Sequence, residues 1–248
     1  MKTILITGCS SGFGHETARY FLERGWNVIA TMRNPRADLF PEADNLRLLP
    51  LDVSNEESIR QAIAEAGEID VLVNNAGIGV LAALEGMAMS TVRDVFETNT
   101  LGTIAMTQAV LPQFRARQRG TVINVTSTVT LKSLPLLAVY TASKAAVNAF
   151  TESLALELAP FNINVRLVLP GLAPTTDFGK NARSRMDNAQ PEPYQPLLER
   201  VFTGMQQPQP TTKAIDVAEA IWRAATDPRS PLRMPAGDDA VALMREVG

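Results

Sequence analysis

Short runs dense in Val, Ile and Leu recur along the chain, separated by longer stretches whose apolar residues fall at helical spacing. The runs lie at residues 2–7, 26–31, 45–51, 69–73, 121–125, 164–169 and 232–234, and the helical stretches at 13–24, 56–66, 91–117, 140–158 and 216–225. A strand that is apolar at every position has no face to give to water. Parallel sheets covered by helices on both sides bury such strands, whereas antiparallel sheets show alternation. The pattern predicts an α/β chain built on a doubly wound parallel sheet of about seven strands with right-handed crossovers. No linker breaks the pattern before residue 170, so residues 1–248 are read as a single domain.

Composition narrows the function. With 46% hydrophobic and 20% charged residues the chain is an ordinary globular one. A net charge of -3 gives no footprint for a phosphate backbone, so nucleic acid is excluded as a partner. The single cysteine, Cys9, has no internal disulfide partner, and the single histidine, His15, leaves too few soft ligands for a usual zinc site. A Ser-His-Asp relay would have to use His15 as its base. Residues 1–8 are too short for a signal peptide and no apolar run of membrane-spanning length follows, so a cytoplasmic protein without a membrane span is expected.

After Pro170 the chain turns rich in Pro, Gln, Asn and Thr, as in NAQPEPYQP and MQQPQPTT. A long irregular insertion at this place reads as an active-site lid over about 176–212, with Phe178, Tyr194, Leu197 and Leu198 as its apolar underside.

Two clusters carry chemistry. Between the first strand and the first helix stands T-G-C-S-S-G-F-G at 7–14, where glycines let the backbone approach a ligand and helix amides hold a pyrophosphate. Its spacing is G-x-x-x-G-x-G and not the common G-x-G-x-x-G, and three glycines in a turn also serve a tight turn alone. Tyr140 and Lys144 stand four residues apart, on one face of a helix. A phenol with a pKa near 10 is a poor acid-base catalyst at neutral pH, and a neighbouring ammonium favours its ionised form. Ser127 ends the run V-I-N-V-T-S at the carboxyl edge of the sheet, where ligands bind in open α/β folds, and its hydroxyl can meet a substrate oxygen. Asn99 is an awkward residue for a helix interior and is expected to organise water or bend the helix.

Together these residues resemble the short-chain dehydrogenase/reductases. The motifs are T-G-x-x-x-G-x-G at 7–14, Asp52-Val53 after the third strand, N-N-A-G at 74–77, Asn99, Ser127, Y-x-x-x-K at 140–144 and P-G at 170–171. The resemblance implies a Rossmann-type fold, a nicotinamide cofactor and interconversion of an alcohol and a carbonyl. On it, Tyr140 protonates the carbonyl oxygen, Lys144 lowers the tyrosine pKa and holds the nicotinamide ribose, Ser127 orients the substrate, and Asn99 holds a water in a proton relay. Gly8, Ser10, Ser11, Phe13 and Gly14 line the pyrophosphate and adenosine ribose. Asp52 and Val53 flank the adenine, Asn75, Ala76 and Gly77 pass beside the ribose, and Pro170, Gly171, Ala173 and Thr175 approach the carboxamide. Ala173 departs from the family, which commonly has a β-branched residue there. T-G-C-S-S-G-F-G and the late P-L-R-M-P-A-G-D-D-A are also similar to a subgroup of hydroxysteroid and retinol dehydrogenases and bacterial ketoreductases, which implies a bulky apolar substrate.

Cofactor choice is read at the end of the second strand. NAD enzymes of this fold place Asp or Glu there for the ribose hydroxyls, whereas here V-I-A-T-M-R-N puts Met32 in that place and Arg33 beside it. NADP(H) is therefore preferred, with NAD(H) possible as a second cofactor. From residue 140 to 159 the only charges are Lys144, Glu152 and Glu157, too few for a fully solvated helix face, so a homodimer or homotetramer formed through the helices following the fourth and fifth strands is expected. Two other readings remain open. A catalytically idle NADP-sensing or scaffold protein would share the fold; a nucleotide-sugar epimerase or dehydratase would share the Tyr-Lys pair but carry T-G-x-x-G-x-x-G and a larger C-terminal domain.

Overall fold

The computed structural model describes residues 1–176, 179, 181, 182, 185, 190–207 and 210–247. Phe178, assigned above to the lid underside, lies outside the described residues. The apolar runs become strands β1 (Thr3–Ile6), β2 (Asn27–Met32), β3 (Leu46–Pro50), β4 (Val71–Asn74), β5 (Gly120–Val125), β6 (Ile163–Pro170) and β7 (Arg233–Ala236). They form one parallel seven-stranded sheet in the order β3-β2-β1-β4-β5-β6-β7. The order reverses between β1 and β4. That reversal opens a crevice outside the carboxyl ends of the two strands.

Alternate residues of each strand serve opposite cores. Ile4 and Ile6 of β1, with Val73 and Ile123, face helix α1 (Gly12–Leu22) and helix α7 (Ala214–Thr226) through Phe21, Val217 and Ile221. Leu5, Leu72, Val122 and Val165 face helices α2 (Glu56–Ala66), α4 (Gly102–Arg117) and α5 (Ala138–Leu158) through Ile59, Met106, Phe114 and Leu154. Burying both faces is what the unbroken apolar runs require.

The helical stretch read as continuous over 91–117 is two helices, α3 (Met89–Phe96) and α4, joined by a π-helical turn at Glu97–Leu101 that contains Asn99. Inside the stretch read as irregular lies helix α6 (Gln195–Gln206). Its prolines misled the reading because Pro196 sits in the first turn, where no amide hydrogen is needed. Tyr194, Leu197, Leu198, Val201 and Phe202 pack against Leu81, Ala83, Leu136 and Leu137. Helix α8 (Asp238–Val247) was not anticipated, although two acidic residues, Asp238 and Asp239, mark its first turn.

Candidate active site

The turn from β1 into α1 is held by the chain that leaves β4. Thr7 Oγ1 accepts from the amides of Asn75 (3.0 Å) and Ala76 (2.9 Å), and Asn75 Nδ2 donates to the carbonyls of Thr7 (2.9 Å) and Gly8 (3.1 Å). Gly8 is at φ +75°, where a Cβ would lie 2.8 Å from the Ala76 α-carbon, and a Cβ on Gly14 would collide with the Gly8 carbonyl. The loop therefore cannot carry side chains at these two places and presents backbone. Ser11 is the N-cap of α1 but makes no side-chain cap, and the first turn has no acidic residue. Uncapped amides at a positive helix end are an anion site in waiting. Ser10 is exposed, and Ser11 and Phe13 are half-buried at its rim. Cys9 is buried in the same loop, its thiol facing the Ile6 carbonyl at 3.2 Å and pushed up to about 12 by burial. It is an inert packing residue.

At the end of β2 Met32 is buried, whereas Arg33 is exposed. Asp38, the next acid along the chain, is paired with Arg36 at 2.7 Å. Asp52 accepts from the Ser54 amide (3.0 Å) and hydroxyl (2.7 Å), which hold its carboxyl below the usual range, with Arg33 adding a smaller Coulombic effect. Val53 is buried, its carbonyl against Gly102 at the start of α4.

Ser127 follows β5, and Tyr140 and Lys144 rise from the first turns of α5. All three are buried, with Tyr140 6% and Lys144 5% exposed. The Tyr140 phenol is pushed well above its ordinary value by burial; the side-chain hydrogen bond with Ser127 opposes this. Burial lowers the Lys144 amine to about 8, and Nζ donates to the Val125 carbonyl at 3.0 Å. In the protein alone burial, which raises the phenol, outweighs any lowering by its neighbours.

Asn99 is fully buried. Its Oδ1 accepts from the Ile78 amide (2.8 Å), and Nδ2 donates to the Ile78 carbonyl (2.9 Å) and to Ser143 Oγ (3.0 Å), which in turn donates to the Tyr140 carbonyl (2.7 Å). The π-turn aims the amide sideways into this contact, a use typical of such turns near functional sites. Gly77 stands between the groups: a Cβ there would lie 3.2 Å from Asn99 Oδ1 and 3.3 Å from Lys144 Nζ. The chain after β4, the π-turn and α5 therefore meet in one cluster. Ser143 joins this cluster without having been marked by the sequence, since a buried Ser carries no signal of its partner.

Pro170 ends β6 and Gly171 follows it. Ala173 accepts from Thr176 at its carbonyl (3.2 Å from the amide, 2.8 Å from the hydroxyl). Thr175 is exposed, and its neighbour Thr176 is the residue whose side chain lies against Gly12 of the phosphate loop. Leu136, just before α5, has φ +66°, unusual for a residue with a side chain, and its carbonyl is held by the Ala82 amide at 2.9 Å. Leu81, Leu136 and Leu198 so form an apolar wall beside the start of α5.

Comparison with known proteins gives a consistent result. The family model described as short chain dehydrogenase matches residues 2–187. The chain is 35% identical over 255 residues to retinol dehydrogenase 8 of Homo sapiens, covering 94% of this chain and 80% of that protein. It is 44% identical over 174 residues to 3-ketodihydrosphingosine reductase of Bacteroides thetaiotaomicron, covering 68% of this chain and 63% of that protein. Among solved structures, the closed form of serine dehydrogenase complexed with NADP+ superposes with a TM-score of 0.81 at 30% identity, covering 94% of this chain and 93% of that one.

Proposed function

The chain belongs to the short chain dehydrogenase family, as an NAD(P)-dependent oxidoreductase, and we propose that it interconverts an apolar ketone or aldehyde with its alcohol, using NADP(H). One observation carries the reading: a buried Tyr140 beside a buried Ser127, with a buried Lys144 one turn away at the carboxyl edge of the sheet. The residues fit a dinucleotide. The side-chain-free surface at Gly8 and Gly14 and the uncapped start of α1 suit its pyrophosphate. When bound, the nicotinamide supplies or accepts the hydride.

The chain's own residues do the rest. Ser127 holds the substrate oxygen, and Tyr140 gives that oxygen its proton in reduction and takes it back in oxidation. Lys144 would hold the nicotinamide ribose, and its ammonium favours the phenolate that remains after transfer. The Asn99 side chain is occupied by Ile78 and Ser143 and its main-chain carbonyl accepts from the Thr103 hydroxyl at 2.9 Å, so Asn99 fixes the chain after β4. Arg33, with no carboxylate at Met32, suits a 2′-phosphate by charge and by its planar fork. Two relatives bear names that specify retinol and 3-ketodihydrosphingosine. In solution the protein is a homo-oligomer joined through α5.

Oxidation of NADPH against a panel of long-chain ketones and aldehydes tests this. Tyr140→Phe is expected to lower kcat by about 10²- to 10⁴-fold while NADPH still binds. A variant that kept more than a tenth of wild-type kcat would exclude Tyr140 as the acid.

A further inference from the structure

The segment from 172 to 212 leaves the sheet at the end of β6 and returns just before α7, and its two ends are tied together at the base. The Thr212 amide donates to the Leu172 carbonyl at 2.7 Å. The Thr212 hydroxyl, on a residue 1% exposed, accepts from the Gly171 amide at 2.9 Å. Both ends then meet one carboxylate from the first turn of α8: Asp239 Oδ2 accepts from the Leu172 amide at 2.7 Å, and Oδ1 lies 2.7 Å from Thr212 Oγ1. The same hydroxyl is 2.8 Å from the Ala236 carbonyl, so its one proton is shared between two acceptors. The fit leaves no spare room. A Cβ on Gly171 would collide with the Asp239 carboxylate, although the Gly171 backbone is of an ordinary kind. Glycine at 171 is thus required by Asp239 and by nothing in its own conformation.

We propose that Asp239 is a positioning residue of the cofactor site: it fixes Gly171 and Leu172, the backbone assigned to the nicotinamide end, and clamps the neck of the 172–212 segment. The inference rests on the reading of Pro170-Gly171 as part of the nicotinamide site. A clamp of hydrogen bonds and a clamp of charge differ in what they tolerate. Asp239→Asn can still accept from the Leu172 amide and donate to Thr212 Oγ1, whose proton then serves the Ala236 carbonyl alone; every group stays satisfied. Asp239→Ala leaves the Leu172 amide without its acceptor, and Thr212→Val removes the hydroxyl while keeping the shape.

The test is binding to the full-length protein, by fluorescence titration, of the cofactor that the wild type prefers. The same titration is run with that cofactor's adenosine fragment, adenosine 2′,5′-bisphosphate for NADPH or AMP for NADH. Asp239→Ala and Thr212→Val are expected to weaken the intact dinucleotide by about 10-fold. Asp239→Asn is expected to stay within about 2-fold, and the fragment, which engages only the adenine half, is expected to bind all forms alike. Melting curves separate a loss of folding from a loss of positioning. Equal weakening of cofactor and fragment would reduce Asp239 to a structural residue, and unchanged cofactor binding in Asp239→Ala would overturn the proposal. A wild type that binds neither cofactor would instead overturn the functional reading beneath it.

Discussion

Burial lowers the Lys144 amine to about 8, against 10.5 for the free group. The unfolded chain keeps that proton up to the higher value, so between the two pH values the unfolded state binds more protons than the folded one. Stability attributable to Lys144 therefore rises with pH from about 8 to 10.5 and is at its lowest below 8. Lys144→Met removes the titration. Without cofactor, the melting temperature of wild type minus that of the variant is expected to climb across this window, and a difference independent of pH would contradict the burial argument. Arg33 makes a second residue-scale prediction. A charge-assisted contact of about 1.5 to 3 kcal/mol corresponds to roughly 10- to 150-fold preference for NADPH in kcat/KM. Met32→Asp combined with Arg33→Ala is expected to reverse it; equal values in the wild type would sink the assignment. The residues that sequence alone made visible are those whose partners stand close along the chain, such as Tyr140 and Lys144. Asp239 was invisible because it meets Leu172 across 67 residues, and Thr212 because it meets Gly171 across 41.

Elements were legible where start signals were local. Helix α2 spans the expected 56–66, since Asn55 accepts from the Ser58 amide and Glu56 and Glu57 follow at the positive end. The break between α3 and α4 was not legible, because a π-turn is dictated by what Asn99 reaches across space. On α5 the exposed positions Ala138, Ala142, Ala145, Ala149, Ser153 and Leu156 return at helical spacing along one face. Leu156 is 79% exposed; Glu157 is exposed beside it, and Glu152 at the flank is paired with Arg233. A second copy of the chain would cover this face with little side-chain ordering cost, since alanine has no rotamers to lose. Light scattering at micromolar concentration is expected to give at least a dimer, and Ala149→Arg, at the centre of the face, a monomer. A monomeric wild type would count against this interface.

For the whole molecule, the order β3-β2-β1-β4-β5-β6-β7 gathers the carboxyl ends of β1, β4, β5 and β6 around one crevice, so that residues from Gly8 to Gly171 share a site. The alternation of strand and helix was enough to anticipate this arrangement, because an unbroken apolar strand is tolerated in few architectures. The same order has a consequence for synthesis. β6, whose Leu167, Val168 and Leu169 are wholly buried in the finished protein, finds its outer neighbour only in β7. Between Pro170 and Arg233 the ribosome must add 63 residues (233 minus 170), which takes roughly 3 to 13 s at about 5 to 20 residues per second. Throughout that interval the nascent sheet offers a bare parallel edge open to any passing strand. A chain ended at residue 230 is expected to collect in the insoluble fraction on expression while the full chain stays in solution, so a pause or rare codon in this stretch becomes a hazard that the completed fold no longer shows.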